Sequence, residues 1–137
     1  MKDTIVKTHQ FSSPIDKVWN AISLAEEISE WFIKADFKAE AGYQYTFIHE
    51  QTVINGEVLK ANPVYELVYT WVVSGTDIET TVSWKLEENS QGTFLTLEHS
   101  GISNYPGDTA VMMFNNYKGG WDTCAENLKN YLAENNG

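Results

Sequence analysis

Arginine is absent from this chain. All nine basic residues are lysines, set against 19 acids, for a formal net charge of −10 at pH 7. Nucleic-acid recognition draws on positive charge and on the planar guanidinium fork. The expectation is therefore no nucleic-acid partner, and no docking on an anionic membrane surface. The acidity fits a well-solvated, self-repelling exterior. Cysteine is nearly absent as well. Cys124 stands alone, so no internal disulfide can form, and a reducing compartment, the cytoplasm, is the expected location. No apolar run approaches the ~20 residues that span a bilayer. The opening MKDTIVKTHQFSS lacks the apolar core of a secretion signal.

Several chemical signatures are missing too. There is no Cys/His cluster with zinc spacing, no phosphate-cradling glycine motif and no G-x-S-x-G elbow. The reading accordingly assigns no metal, no cofactor and no catalytic residue. No internal repeat and no Pro-, Ser- or Gly-rich linker divides the chain, so residues 1–137 are expected to form one domain.

What the chain has in abundance is rings. Of 137 residues, 42% are apolar, 20% charged and 13% aromatic, with five Trp, seven Tyr and six Phe. That is a globular composition. So many rings must pack on one another, meet a partner, or line a hollow.

The order of elements follows from hydrophobic period. The stretch 4–11 is β-branched at Thr4, Ile5, Val6 and Thr8 and predicts a strand. Ser13-Pro14-Ile15-Asp16 carries a capping residue with Pro at the first helical position. Ile15, Val18, Trp19 and Ile22 then share one helical face, and the pattern restarts at Ser23 with Leu24, Ile28, Trp31 and Phe32. Two short helices with a sharp bend at Ser23 are predicted. From Asp36 to about Ile102 the period becomes two, as in Tyr43/Tyr45/Phe47, Leu67/Tyr69/Trp71/Val73, Val82/Trp84/Leu86 and Leu95/Leu97/His99. Between these runs lie turn signals. Asn55-Gly56 reads as a bulge within a strand over 53–60 rather than a hairpin turn. One face is apolar and aromatic. The other is mostly polar, with Ile48, Val68, Val72 and Phe94 as exceptions. This predicts an antiparallel sheet covered on one side.

The cover comes from residues 109–133, where apolar residues recur every three or four positions. Such a helix is roughly 37 Å long, against a radius of gyration of about 14 Å for a domain of this size, so it crosses the whole molecule. Gly119-Gly120 interrupt it and mark a kink or a close approach to the sheet. The fold class is thus α+β: a curved antiparallel sheet of six to seven strands around a long C-terminal helix, with two short helices after the first strand.

Five stretches, spread over most of the chain, carry a resemblance: SPIDKVW (13–19), Trp31-Phe32, LVYTW (67–71), GTFLTLEHSG (92–101), and Gly120-Trp121 followed by Leu128 and Leu132. In this order and with these gaps the sequence resembles the START-like (SRPBCC) superfamily, the helix-grip fold, and within it the group named after the activator of the heat-shock-protein-90 ATPase. The resemblance implies a hydrophobic cavity between sheet and last helix. It does not imply one chemistry, since relatives include lipid carriers, polyketide cyclases and a co-chaperone domain.

The candidate cavity residues are Phe47, Tyr69, Trp71, Trp84, Leu97, His99, Met113, Tyr117 and Trp121. His99 ends a strand and reads either as a polar group at the mouth of the hollow, able to act as acid or base, or as a hydrogen-bonded structural residue. Cys124 reads as a small buried hydrophobe. Three functions follow in order of preference. The first is a non-covalent binder of a small apolar or aromatic molecule. The second is a domain that contacts a chaperone protein. The third is a cyclase- or hydratase-like enzyme using a pocket His or Tyr.

Overall fold

Alternation of one apolar and one wet face over more than half the chain demands a sheet covered on one side. The computed structural model describes residues 3–135. Its strands are β1 Ile5–Phe11, β2 Lys34–Asp36, β3 Gln44–His49, β4 Thr52–Asn62, β5 Glu66–Val73, β6 Glu79–Asn89 and β7 Gly92–Ser100. Its helices are α1 Ile15–Ser23, α2 Ala25–Trp31 and α3 Gly107–Asn135. The seven strands form one antiparallel sheet in the order β1-β7-β6-β5-β4-β3-β2. Strands β2 to β7 meander, and β1 closes on the last of them, with Ile5 opposite His99 and Phe11 opposite Thr93. This is the α+β helix-grip architecture. Among the described residues no helix is long and apolar enough to cross a membrane.

Register aligns the inner face into rows. Leu67, Trp84 and Leu97 lie opposite one another across β5, β6 and β7, as do Tyr69, Val82 and His99. All six are buried. The period of two therefore translates directly into a continuous apolar floor.

Helices α1 and α2 seal one end. Ile15, Val18, Trp19 and Ile22 are buried, as the spacing predicts. The entry differs in detail: Pro14, in extended conformation (φ −62°, ψ 154°), occupies the N-cap position itself, one residue later than expected. Ser13 is held to the sheet instead, its carbonyl accepting the Thr93 hydroxyl at 2.8 Å. The bend between the helices falls at Leu24, which caps both. The Trp31 indole N–H donates to the Ala21 carbonyl at 2.8 Å and ties α2 back onto α1.

Two further expectations are corrected. Asn55 and Gly56 lie in unbroken register with β3, and the bulge falls between Val58 and Lys60, against β5. Glycine at 56 serves close packing rather than a turn: a Cβ there would stand 2.1 Å from the Thr70 carbonyl oxygen and 2.7 Å from the Tyr45 ring. In α3, Gly119 and Gly120 make no close approach to the sheet, since a Cβ at either would meet nothing within 4 Å, and the helix runs unbroken through them. Gly119 is exposed, so Gly119→Ala is expected to stabilise the protein by roughly 0.5–1 kcal/mol through helix propensity. A rise of the urea midpoint checks this, and an unchanged or lower midpoint would contradict it.

Helix α3 is buried unevenly. From Trp121 onward Cys124, Ala125, Leu128 and Leu132 are buried against the core, whereas before Trp121 only Ala110 is. Met113, Phe114 and Tyr117 are half-buried, and Val111 and Met112 stand exposed. The N-terminal half of the helix therefore covers the sheet incompletely.

Candidate functional site

A gap opens beside the middle of α3, where its seated half begins. The gap is bordered by Phe32 just after α2, by Trp71 on β5, and by Tyr117, Gly120 and Trp121 on α3, and has a volume of about 120 Å³. An adjoining hollow of about 310 Å³ shares Phe32, Trp71 and Gly120 and extends past Ile33, His49, Thr52, Ile54, Thr123, Cys124 and Asn127. Gly120 matters in both because a side chain at this helical position would project where nothing else stands. The two tryptophans are tilted faces 5.4 Å apart between ring centroids, and Phe32 lies 6.0 Å from Trp121. No Lys, Asp or Glu side chain borders either part.

A polar relay links the Trp121 indole to the backbone of Trp71. The Trp121 indole N–H donates to His99 Nδ1 at 2.9 Å. An indole N–H only donates, so Nδ1 is unprotonated and the neutral ring carries its proton on Nε2. That N–H then donates to the Thr80 hydroxyl, 2.7 Å away, and the hydroxyl donates to the Trp71 carbonyl at 3.2 Å. Every donor runs in one direction, from Trp121 to the backbone of Trp71. His99 is fully buried, and burial drives its pKa from 6.5 down to about 3. The relay acts in the same direction, because a proton on Nδ1 would face the Trp121 N–H. Both ring nitrogens of His99 are thus occupied by hydrogen bonds.

Cys124 and Tyr117 are also held neutral. Burial raises the pKa of the Cys124 thiol and of the Tyr117 hydroxyl, the latter helped by its 3.0 Å hydrogen bond with the Tyr105 hydroxyl. A protonated thiol is a poor nucleophile.

The structure divides the predicted residues. Trp71, Tyr117 and Trp121 border the groove, and His99 lies directly behind them, 4.5 Å from the Tyr117 ring centroid. Met113 packs half-buried against the core. Phe47 and Tyr69 belong to a filled aromatic knot: Tyr45 lies 4.7 Å from Phe47 and 5.1 Å from Tyr69, and Phe37 stands within 5.8 Å of Phe47 and 5.6 Å of Tyr69. Trp84 donates to the Tyr69 hydroxyl at 2.9 Å, and Leu97 is buried in the same floor. These last four do not border the groove. Phe32, Gly120, Ile54 and Asn127 do, and were not among the cavity candidates. For Gly120 a signal existed, because a glycine pair interrupting an amphipathic helix removes side chains from one patch. Among the described residues no three His, Cys, Asp or Glu side chains converge as a metal site would require.

Residues 12–133 match the family described as Activator of Hsp90 ATPase homolog 1-like protein. The chain belongs to that family, within the START-like (SRPBCC) superfamily. Among solved structures it is similar to MLL2253 from Mesorhizobium loti, at 29% identity and a TM-score of 0.87, over 96% of this chain and 97% of that one. BH1534 from Bacillus halodurans follows at 28% identity and a TM-score of 0.79, over 96% of each chain. DynU16, a protein of the dynemicin biosynthetic locus, shares the fold at 23% identity and a TM-score of 0.85, over 97% of this chain but 48% of that one. No protein with a curated description matches.

Proposed function

We propose that this family member is a binding domain for a small apolar molecule, held in the groove between sheet and C-terminal helix. One observation carries the reading: an almost wholly apolar gap stands open beside Phe32, Trp71, Tyr117 and Trp121, at a helix position, Gly120, where a side chain would meet nothing within 4 Å. Natural pockets are likewise mostly apolar with few polar groups. The same features favour a binder over an enzyme, since His99 has both nitrogens engaged and the Cys124 thiol is held protonated. The lone buried thiol fits a reducing compartment such as the cytoplasm. We read the chain as one domain.

Titration with N-phenylnaphthylamine, an uncharged fluorophore, tests the proposal. Saturable binding of one molecule per chain is expected. Gly120→Leu should fill the groove and weaken that binding at least tenfold, while better helix propensity keeps the fold intact, as thermal unfolding checks. No saturable binding by the natural protein, or equal binding by the variant, would refute the site. Contact with a chaperone is the alternative raised by the family's description. Retention on an immobilised chaperone that is unaffected by Gly120→Leu would favour it.

A further inference from the structure

The groove changes character along its length. Its inner gap, about 120 Å³ beside Phe32, Trp71, Tyr117, Gly120 and Trp121, is walled almost wholly by apolar atoms. The adjoining hollow of about 310 Å³ has four polar side chains on its border, those of His49, Thr52, Thr123 and Asn127. They come from both sides. His49 and Thr52 are cross-strand partners where β3 turns into β4, and Thr123 and Asn127 lie on α3. Gly120, Thr123 and Asn127 are spaced by three and four, so they follow one another along one face of the helix. From the first to the last the helix rises about 10 Å. One wall thus passes from a bare helix surface at its apolar end to an amide at its polar end.

Resting on the proposed function, we infer that the ligand is an amphiphile of one ring and a short arm. The apolar ring occupies the inner gap. The arm runs toward the β3–β4 turn and ends in an uncharged head that both donates and accepts hydrogen bonds, such as a carboxamide or an alcohol. Size limits the ring. The inner gap is slightly smaller than the ~150 Å³ apolar cavity that takes benzene, so a single ring fits it and the rest of the molecule must lie in the larger hollow.

The polar border matches such a head. The side chains of His49, Thr52 and Asn127 stand exposed and make no hydrogen bond among the described residues. The Thr123 hydroxyl donates to the Gly119 carbonyl at 3.3 Å and keeps its lone pairs. Amide, hydroxyl and neutral imidazole each offer a donor and an acceptor. A purely hydrocarbon arm would cover these groups and deprive them of water without replacing its hydrogen bonds. A charged head finds no Lys, Asp or Glu on the border to pair with, and an unpaired ion loses hydration against a partly apolar wall. A carboxylate also meets the field of a chain with net charge −10.

The experiment compares 5-phenylpentanamide with butylbenzene and 5-phenylpentanoate, using the isotope-labelled full chain. It is run at pH 8, where an ordinary imidazole is uncharged, and in about 0.15 M salt, which screens distant charges. Nuclear Overhauser contacts are expected from the phenyl protons to the Trp71 and Trp121 indoles, and from the methylene beside the carboxamide to His49 and Asn127. The carboxylate should bind at least about fivefold more weakly than the amide. Asn127→Leu should weaken the amide at least about threefold and leave butylbenzene unchanged or tighter. Thr52→Val gives the same comparison from the opposite wall should Asn127→Leu fail to fold. A reversed pose, equal binding of amide and carboxylate, or an equal effect of the variant on amide and hydrocarbon overturns this inference. So does failure of the amide to bind a chain that binds N-phenylnaphthylamine, which leaves the groove standing. If N-phenylnaphthylamine does not bind either, the groove reading falls and this inference with it.

Discussion

Gly56→Ala is expected to cost the protein more than about 3 kcal/mol, a loss read as a collapse of the urea midpoint or as failure to accumulate folded protein. Most overpacking substitutions cost about 1–3 kcal/mol because a neighbouring side chain yields. Here the added methyl meets backbone. Its carbon would stand 2.1 Å from the Thr70 carbonyl oxygen and 2.8 Å from the carbonyl carbon on β5, with the Tyr45 ring at 2.7 Å on the other side. Neither neighbour is free to retreat. The Tyr45 hydroxyl donates to that same Thr70 carbonyl, and the Thr70 hydroxyl accepts the Glu57 backbone N–H at 2.8 Å. Relief must therefore separate β4 from β5 or displace Tyr45 from the aromatic knot. A variant within about 1 kcal/mol of the natural protein would show that the ring and strand are loosely held, contrary to this packing.

Below pH 6.5 the protein should lose stability more steeply than its His99→Gln variant. His99 has a pKa depressed by burial from 6.5 to about 3. The unfolded chain therefore binds a proton between those values that the native state refuses. Stability from this group is complete above pH 6.5 and falls as pH drops toward 3, by at most about 1.4 kcal/mol per pH unit. Glutamine offers an oxygen to accept the Trp121 N–H and an amide N–H to reach Thr80, but it does not titrate. Carboxylates and the other two histidines contribute equally to both proteins. The difference between the two stability curves then isolates His99. Parallel urea midpoints from pH 7 to pH 4 would mean that the ring is already protonated or reached by water in the native state. Replacement by Phe, which leaves the buried Trp121 N–H without an acceptor, should cost roughly 1–3 kcal/mol at pH 7 from that donor alone.

These two residues show where sequence reasoning stopped. The alternation placed His99 on the inner face beside Leu95 and Leu97, and it lies there. The choice between a polar group at the mouth and a structural one depended on Thr80 and Trp121, residues 19 and 22 positions away. Asn55-Gly56 read as a bulge within a strand rather than a hairpin turn. The actual cause of a glycine at 56, a ring from β3 lying over β4 against the β5 backbone, involves contacts that no local pattern encodes. The surplus of aromatics was likewise visible, but its division was not. Phe37, Tyr45, Phe47 and Tyr69 fill their own space, while Phe32, Trp71 and Trp121 border open space.

The sequence by itself determined the strand and helix order, the inward face of each element and the family, because period, turn chemistry and capping act between residues close in the chain. Only the tertiary structure decided which inward rings interdigitate and which stand apart. All of them point the same way, and which ones border a gap depends on where α3 sits against the sheet and Phe32. That seating is set by contacts of Trp121, Cys124, Leu128 and Leu132 with strands far away in sequence, and the glycine at 120 keeps the resulting space open.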